Sequence, residues 1–339
     1  MNGAKMNRIP WMSSQILVCL FVVALASPVT ADDQRDNAEM SQLIQPISES
    51  VQGSVVQILS GGTPVALGTV VSADGYVLTK RSELSGDPIR IRLGDKRLLP
   101  ARVAAVRRRN DLALLRIESA VTLRPIQFSS AALPVASFLI SPGRTGRPIG
   151  FGVVGVKSRK VQHQGRLGVM LTDDSSGRAL VDDVFPDSGA EDAGIVPGDL
   201  IVAIDGREEN SRTGVIETLR EKFPGERVRL TILRTNESRG LDTLEMDARI
   251  REFGIMAESE SDSKVNGPRN VRLSGFDQVI QHDTVLDPDE CGGPVLDTSG
   301  RVVGLNIARA GRVVSYALPS SLVIPETVSM LEEARAASR

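Results

Sequence analysis

Short apolar runs separated by turn residues fill most of this chain and predict a mostly β protein. Residues 38–50 differ, because their apolar positions follow helical spacing and predict an N-terminal helix. From Val51 to about Phe128 apolar runs alternate with turn residues, and Ser-Ala-Asp-Gly at 72–75 indicates a hairpin. Strands at this spacing are typical of a barrel or a sandwich.

The rest of the chain changes pattern several times. A second group of strands, rich in glycine and proline, is predicted from about Pro134 to Gln162. Residues 165–250 combine strands with two short helices, which is the pattern of an α+β module. The polar stretch at 257–270 indicates a linker. Strand patterns return between residues 277 and 318, and a C-terminal helix is predicted over 324–337.

The first 31 residues have the pattern of a secretory signal peptide. Lys5 and Arg8 precede an apolar run of 11 residues, Ile16 to Ala26, and small residues at 29–31 offer a cleavage site. This run is too short to cross a bilayer comfortably, so we expect a cleaved leader rather than a membrane anchor. The expected location is the periplasm or the exterior, with no membrane span after cleavage.

Composition narrows the candidate functions. Charged residues make up 24% of the chain, the net charge is −2, and no extended basic segment is present, which argues against a nucleic-acid partner. The two cysteines are Cys19, inside the leader, and Cys291, so no internal disulfide is expected after cleavage. The sequence contains no metal-ligand cluster, phosphate loop or flavin motif, so no metal or other cofactor is expected.

Three further segments stand out, in order: GTVVSADGYVLTKRSEL at 68–84, RRNDLALLRI at 108–117, and VIQHDTVLDPDECGGPVLDTSGRVVGLNIA at 279–308. Together these segments resemble the HtrA/Deg family of trypsin-like proteases. The resemblance implies a two-barrel trypsin-like domain of the chymotrypsin fold. A fourth segment, AGIVPGDLIVAIDG at 193–206, resembles a PDZ domain, which implies that peptides or the C-termini of unfolded proteins are the partners.

The PDZ resemblance also implies a peptide site. The loop at 167–169 would hold a terminal carboxylate on its backbone N–H groups, and the helix near 213–222 would line a side-chain pocket. The residues predicted for this site are Leu167, Gly168, Val169, Val215 and Leu219.

The order of the segments is unusual for the family, which places PDZ domains after the protease domain. Here the PDZ-like segment precedes the nucleophile segment, so we predict a PDZ domain inserted in the second barrel. The predicted limits are 1–31 for the signal peptide, 38–128 for the helix and first barrel, 133–162 and 270–322 for the second barrel, 163–250 for the PDZ domain, 251–269 for the linker and 323–339 for the C-terminal helix.

The family's catalytic triad is matched at one position of three. Asp111 matches the acid that orients the base, but Ser82 stands where the family has its histidine, and Cys291 stands where it has its serine. A serine hydroxyl does not accept a proton near neutral pH, whereas a cysteine remains a competent nucleophile. The oxyanion loop also departs from the family, because Asp289 replaces a glycine and Glu290 follows it.

Three functions remain open from the sequence. The favoured hypothesis is a pseudoprotease that binds peptides through its PDZ domain. The second is a cysteine endopeptidase that uses Cys291, with His282, His163 or Glu83 as candidate bases. The third is a redox-responsive thiol or scaffold protein, and homo-oligomerisation is left open under each.

Overall fold

The computed structural model describes residues 38–236 and 240–337, so the predicted signal peptide lies outside the described residues. The described residues from Ile44 onward belong to one compact unit, which contains all the described strands. Helix α1 spans Ala38–Glu49, close to the predicted 38–50. No helix among the described residues is long and apolar enough to cross a bilayer.

Six antiparallel strands close into a barrel in the order β1-β2-β3-β6-β5-β4. Their apolar positions alternate with polar ones where one face meets solvent, and Val56, Ile58 and Val70 point into the barrel core. The strands are β1 (Val55–Ser60), β2 (Thr63–Ser72), β3 (Tyr76–Lys80), β4 (Ile89–Arg92), β5 (Leu98–Arg107) and β6 (Leu112–Ile117).

An α+β module follows three further strands, β7 (Phe138–Pro142), β8 (Pro148–Val153) and β9 (Arg159–Val161). Its main sheet has the order β11-β12-β13-β15-β16, with β14 beside β13, while β10 pairs separately with β17. The elements of the module are β10 (Gly165–Arg166), β11 (Val169–Asp173), β12 (Ala179–Val184), α2 (Gly189–Asp192), β13 (Leu200–Ile204), β14 (Arg207–Glu208), α3 (Arg212–Arg220), β15 (Arg227–Thr235), β16 (Leu241–Arg249) and β17 (Arg251–Glu252).

Residues 251–269, predicted to be a linker, contain regular structure. Strand β17 is followed by two short helices, α4 (Phe253–Met256) and α5 (Glu260–Asn266). Helix α4 is formed by the apolar residues Phe-Gly-Ile-Met, which precede the polar stretch. The N-cap of α5 is Ser259, whose hydroxyl accepts a hydrogen bond from the Asp262 N–H.

The strands after the module complete the sheet begun before it. They are β18 (Phe276–His282), β19 (Pro294–Asp297), β20 (Val302–Gly311) and β21 (Val314–Pro319). The strand order of this sheet is β8-β7-β19-β20-β21-β18-β9. An antiparallel bridge between Val154, which follows β8, and His282 of β18 connects the two ends of the sheet. The prediction of a mostly β fold is therefore confirmed.

The C-terminal helix α6 spans Ser320–Ala336 and begins four residues before the predicted start, with Pro325 in its second turn. Because Pro325 has no N–H, the helix lacks the hydrogen bond that this position would otherwise donate to the Ser321 carbonyl oxygen. Val323 and Met330 of α6 pack with Leu78 of the first barrel and Phe276 of the second sheet, so one core joins both sheets.

Arg272 is a fully buried arginine just before β18. Its guanidinium donates hydrogen bonds to the carbonyl oxygens of Arg108, Arg109, Ser274 and Gly275, and it stacks 4.1 Å from the ring centre of Phe223 in the α+β module. A buried cation needs such a full set of acceptors. Arg272 therefore connects three parts of the fold.

We expect Arg272→Leu to lower the free energy of unfolding by about 3 kcal/mol, because four buried carbonyl oxygens lose their donor. Denaturant titration of the two proteins measures this. Arg335→Leu, on the half-exposed face of α6, is the control and should change stability by less than about 0.5 kcal/mol. An equal effect at both positions would contradict the structural role given to Arg272.

Candidate functional site

Asp111 and Ser82, two of the three predicted triad positions, are in direct contact. The Asp111 carboxylate accepts a hydrogen bond from the Ser82 hydroxyl at 2.7 Å and another from the Ser82 N–H at 2.9 Å. Asp111 has a left-handed backbone, with φ 57°, at the start of β6. Full burial raises the pKa of Asp111, against the opposing effect of Arg272 at 3.9 Å. The Asp111 carboxylate thus fixes the orientation of Ser82, the residue at the position where the family resemblance predicts an imidazole.

Cys291, the predicted nucleophile, is buried completely. Its carbonyl oxygen accepts from the Leu67 N–H of β2 at 2.9 Å, and the Gly292 carbonyl accepts from the Thr69 hydroxyl at 3.1 Å. At Gly292, with φ 103°, an added Cβ would lie 2.1 Å from the Leu67 oxygen, so only glycine permits this close packing. Burial raises the pKa of the Cys291 thiol to about 11, although the Lys80 ammonium acts in the opposite direction.

The loop before Cys291 is a 3-10 turn, Pro288–Glu290, that holds both predicted oxyanion-loop acids. The Glu290 carboxylate turns back and accepts a hydrogen bond from the Asp287 N–H at 2.8 Å. Burial, with the charges of Asp287 and Asp289, raises the pKa of Glu290. Asp289 is partly exposed in the same turn. This concentration of acids opposes the development of a negative oxyanion nearby.

His282 is held in the core of the second sheet. Its ring nitrogens lie 2.8 Å from the Thr284 hydroxyl and 3.1 Å from the Asn306 side-chain oxygen. Complete burial lowers the pKa of His282 to about 4, which favours the neutral imidazole. Because both nitrogens are engaged, this imidazole is poorly placed to take a proton from Cys291.

The other two candidate bases are also engaged elsewhere. His163 stacks on Phe223 with ring centres 4.9 Å apart, and its Nδ1 accepts from the Gly165 N–H at 2.8 Å. Glu83 accepts from Lys80 Nζ at 3.2 Å and from the Asn270 amide at 2.9 Å. Burial alone would raise the pKa of Glu83, yet these donors hold it below its usual value. Among the described residues, no imidazole donates to or accepts from the Cys291 thiol.

A groove in the α+β module lies beside β11. Strand β11 is at the edge of its sheet, so one side of its backbone has no partner strand among the described residues. The cavity measures about 380 Å³ and its surface is mostly apolar. Its lining residues are Gly165, Arg166, Leu167, Gly168, Val169, Leu171, Phe185, Ile216, Leu219, Arg220, Phe253, Met256 and Ala257.

Comparison with known proteins accounts for both parts of the fold. Residues 66–190 match the trypsin-like peptidase domain family, and residues 165–244 match the PDZ domain family. The chain contains a trypsin-like domain and a PDZ domain. The strands β18–β21, which complete the second sheet, lie after the end of the trypsin-like match.

Two relatives carry the name "Probable periplasmic serine endoprotease DegP-like". The protein from Marinomonas sp. (strain MWYL1) is 24% identical over 280 residues, covering 58% of this chain and 59% of the relative. The protein from Hahella chejuensis (strain KCTC 2396) is 32% identical over 114 residues, covering 31% of this chain and 24% of the relative. The chain therefore matches about three fifths of one relative and a quarter of the other, and the matches support a relationship to the HtrA family.

Four of the five predicted peptide-site residues line the PDZ groove, and one does not. Val215 faces the core of the PDZ domain and is fully buried, whereas the next residue of α3, Ile216, lines the groove. A register error of one residue on a helix moves a side chain by about 100°. The sequence analysis also missed Phe253 and Met256, because α4 fell within the predicted linker.

The described residues include no group of three or more acidic, histidine or cysteine side chains placed to hold a metal ion.

We expect the Cys291 thiol to react with Ellman's reagent at about pH 8 at least ~100-fold more slowly in the native chain than in concentrated guanidinium chloride. The raised pKa removes most of the thiolate, and burial blocks access. The measurement uses the chain without residues 1–31, in which Cys291 is the sole cysteine. Equal rates in the two solvents would mean that the thiol is accessible and reactive.

The buried His282 also predicts a pH effect on stability. Its native pKa of about 4 lies below the unfolded value of 6.5, so between these pH values the unfolded chain binds a proton that the native chain does not. The contribution of His282 to the free energy of unfolding is fully present above about pH 6.5. It falls by up to ~3 kcal/mol as the pH drops to about 4. We expect His282→Gln to flatten the measured dependence of unfolding free energy on pH in this window. Parallel curves for the two proteins would refute the assignment.

Proposed function

We propose that this chain is an HtrA-type pseudoprotease of the periplasm that binds the C-terminal segments of polypeptides in its PDZ groove. The observation that carries the proposal is the groove itself, an apolar cavity between the edge strand β11 and helix α3. An extended peptide can add to this edge as a further strand, with alternate side chains entering the cavity.

The loop at one end of the groove suits a terminal carboxylate. Gly168 has φ 92°, and an added Cβ would lie 2.2 Å from the Ser188 Cβ, so the loop adopts a conformation that requires glycine. Successive N–H groups in such a loop form a concave site for anions. Arg166 and Arg220 line the same cavity and supply positive charge beside it.

The proposed loss of proteolysis has three supports in the trypsin-like domain. Ser82 replaces a proton acceptor beside Asp111, Cys291 is buried with a raised thiol pKa, and acids occupy the oxyanion loop. Cleavage of an amide needs a base and an acid near the nucleophile as well as donors for the oxyanion. Burial of Cys291 also weighs against the cysteine endopeptidase and the redox-thiol hypotheses, because both need an accessible thiol.

The proposed location and domain limits rest on separate observations. The relatives are named as periplasmic, and the first 31 residues have the pattern of a signal peptide. The PDZ domain lies in the chain between β9 and β18, which pair with each other in one sheet. We therefore propose a PDZ domain inserted within the second barrel of the trypsin-like domain.

We expect Ile216→Glu to weaken binding of peptides with a free apolar C-terminus by at least ~10-fold, because a carboxylate would enter the apolar pocket. Fluorescence anisotropy with a labelled C-terminal peptide library measures the dissociation constants. Thr213→Glu places the same side chain on an exposed position of the same helix and should leave binding unchanged. Peptides with amidated C-termini should bind weakly to every variant. Failure of the whole library to bind the unmodified chain would refute the proposal.

A further inference from the structure

A second cavity, of about 320 Å³, lies where the PDZ domain meets the first barrel. We call it the arginine pocket. Its lining residues are Arg81, Ser82, Leu84, Ser85, Val103 and Val106 from the barrel and Gly225, Glu226, Arg227 and Arg249 from the PDZ domain. It shares no lining residue with the PDZ groove.

Two arginines of the pocket are neighbours, and neither forms an ion pair with a carboxylate among the described residues. Arg227 of β15 and Arg249 of β16 are direct cross-strand partners, an arrangement in which like charges destabilise a sheet. Among the described residues, no carboxylate oxygen lies within 4.0 Å of either guanidinium. Burial lowers the pKa of Arg249, and the charges of Arg227 and Arg251 act in the same direction, while the charge of Glu83 opposes them. Its partners are two carbonyl oxygens, those of Gly225 at 3.2 Å and Ser82 at 3.3 Å.

The acid in the pocket does not neutralise this pair. Glu226 is the one carboxylate among the described lining residues, and its oxygens bind Arg108 at 2.6 and 2.7 Å and Arg81 at 3.0 Å. The carboxylate oxygens of Glu226 are therefore occupied by Arg81 and Arg108, and these ion pairs connect the PDZ domain to the barrel. The pocket is therefore left with an excess of positive charge, concentrated at Arg227 and Arg249.

The barrel side of the pocket is apolar. Val103 is 40% exposed and Val106 is 38% exposed, and Leu84 lies beside them. Apolar side chains next to guanidiniums that have no carboxylate partner favour a ligand that carries a carboxylate on an apolar stem, rather than a small hydrated anion.

We propose that the arginine pocket binds an acidic side chain within a polypeptide segment, with the carboxylate on Arg227 and Arg249 and neighbouring apolar side chains on Val103 and Val106. The arginine pocket differs from the PDZ groove because it would bind the side chain of an internal residue, whereas the groove would bind a C-terminus. Since the barrel and the PDZ domain both contribute to it, the bound segment would contact both.

The test uses a labelled pentapeptide, Val-Glu-Leu-Glu-Val, acetylated and amidated so that it presents no terminal carboxylate to the PDZ groove. Fluorescence anisotropy compares it with the same peptide carrying glutamine at both acidic positions. We expect the acidic peptide to bind at least ~10-fold more tightly at low salt, and Arg227→Gln to remove that difference. Arg227→Gln should also raise the unfolding midpoint, because it ends the repulsion with Arg249.

Arg229→Gln is the matched control, because Arg229 lies on the same strand but is paired with Asp247 at 3.2 Å. It should leave binding of the acidic peptide unchanged. Equal binding of the two peptides, equal binding by wild type and Arg227→Gln, or no binding of the acidic peptide would each overturn the proposal. Displacement of the acidic peptide by millimolar inorganic phosphate at constant ionic strength would also overturn it, since the pocket would then be a simple anion site. None of these outcomes depends on whether the PDZ groove binds C-termini.

Discussion

The pairing of β9 with β18 is the constraint on which the rest of the structure depends. Val161 pairs with Phe276 and Arg159 with Val279, so the chain leaves the second sheet and returns to it at one ladder. Everything between these strands, including the PDZ domain, is attached at both ends. A domain attached in this way has fewer relative motions than one at a chain terminus. Arg272 stabilises the segment that leads into β18, because its guanidinium donates to the carbonyl oxygens of Arg108 and Arg109 in the first barrel and of Gly275 in its own turn.

The same attachment affects the region in which the family resemblance predicts a protease active site. Glu226 of the PDZ domain pairs with Arg81, the neighbour of Ser82, and with Arg108, three residues before Asp111. Arg249 binds the Ser82 carbonyl oxygen directly. Asp111 therefore contacts Ser82 directly, while the neighbouring arginines form contacts between the barrel and the PDZ domain. Cys291 belongs to the interface between the loop at 287–293 and strand β2, where a thiol packs as a small apolar group.

Sequence patterns predicted the mostly β class and the strands, because alternating burial and turn residues are local signals, whereas the trypsin-like and PDZ folds were predicted from resemblance to known families. The hairpin at 72–75 and helix α3 are examples. The sequence pattern did not predict α4, because four residues are too few to show helical periodicity. It also placed Val215 in the peptide site, although this side chain is buried in the core, because neighbouring positions on a helix face different directions. Contacts such as Lys80 with Glu83, or Arg272 with the carbonyl of Arg109, depend on tertiary placement and have no signature in the sequence. The roles of Ser82 and Cys291 were predicted only through resemblance to a family.

We propose that the trypsin-like domain supports binding rather than cleavage. The most direct measurement incubates unfolded casein with the purified chain lacking residues 1–31 and with its Cys291→Ala variant, and follows new peptide ends by mass spectrometry. The account predicts the same background in both samples, because a buried thiol without a base does not attack an amide. Cleavage that is present in the unmodified chain and lost in the Cys291→Ala variant would contradict it and would establish a working thiol protease.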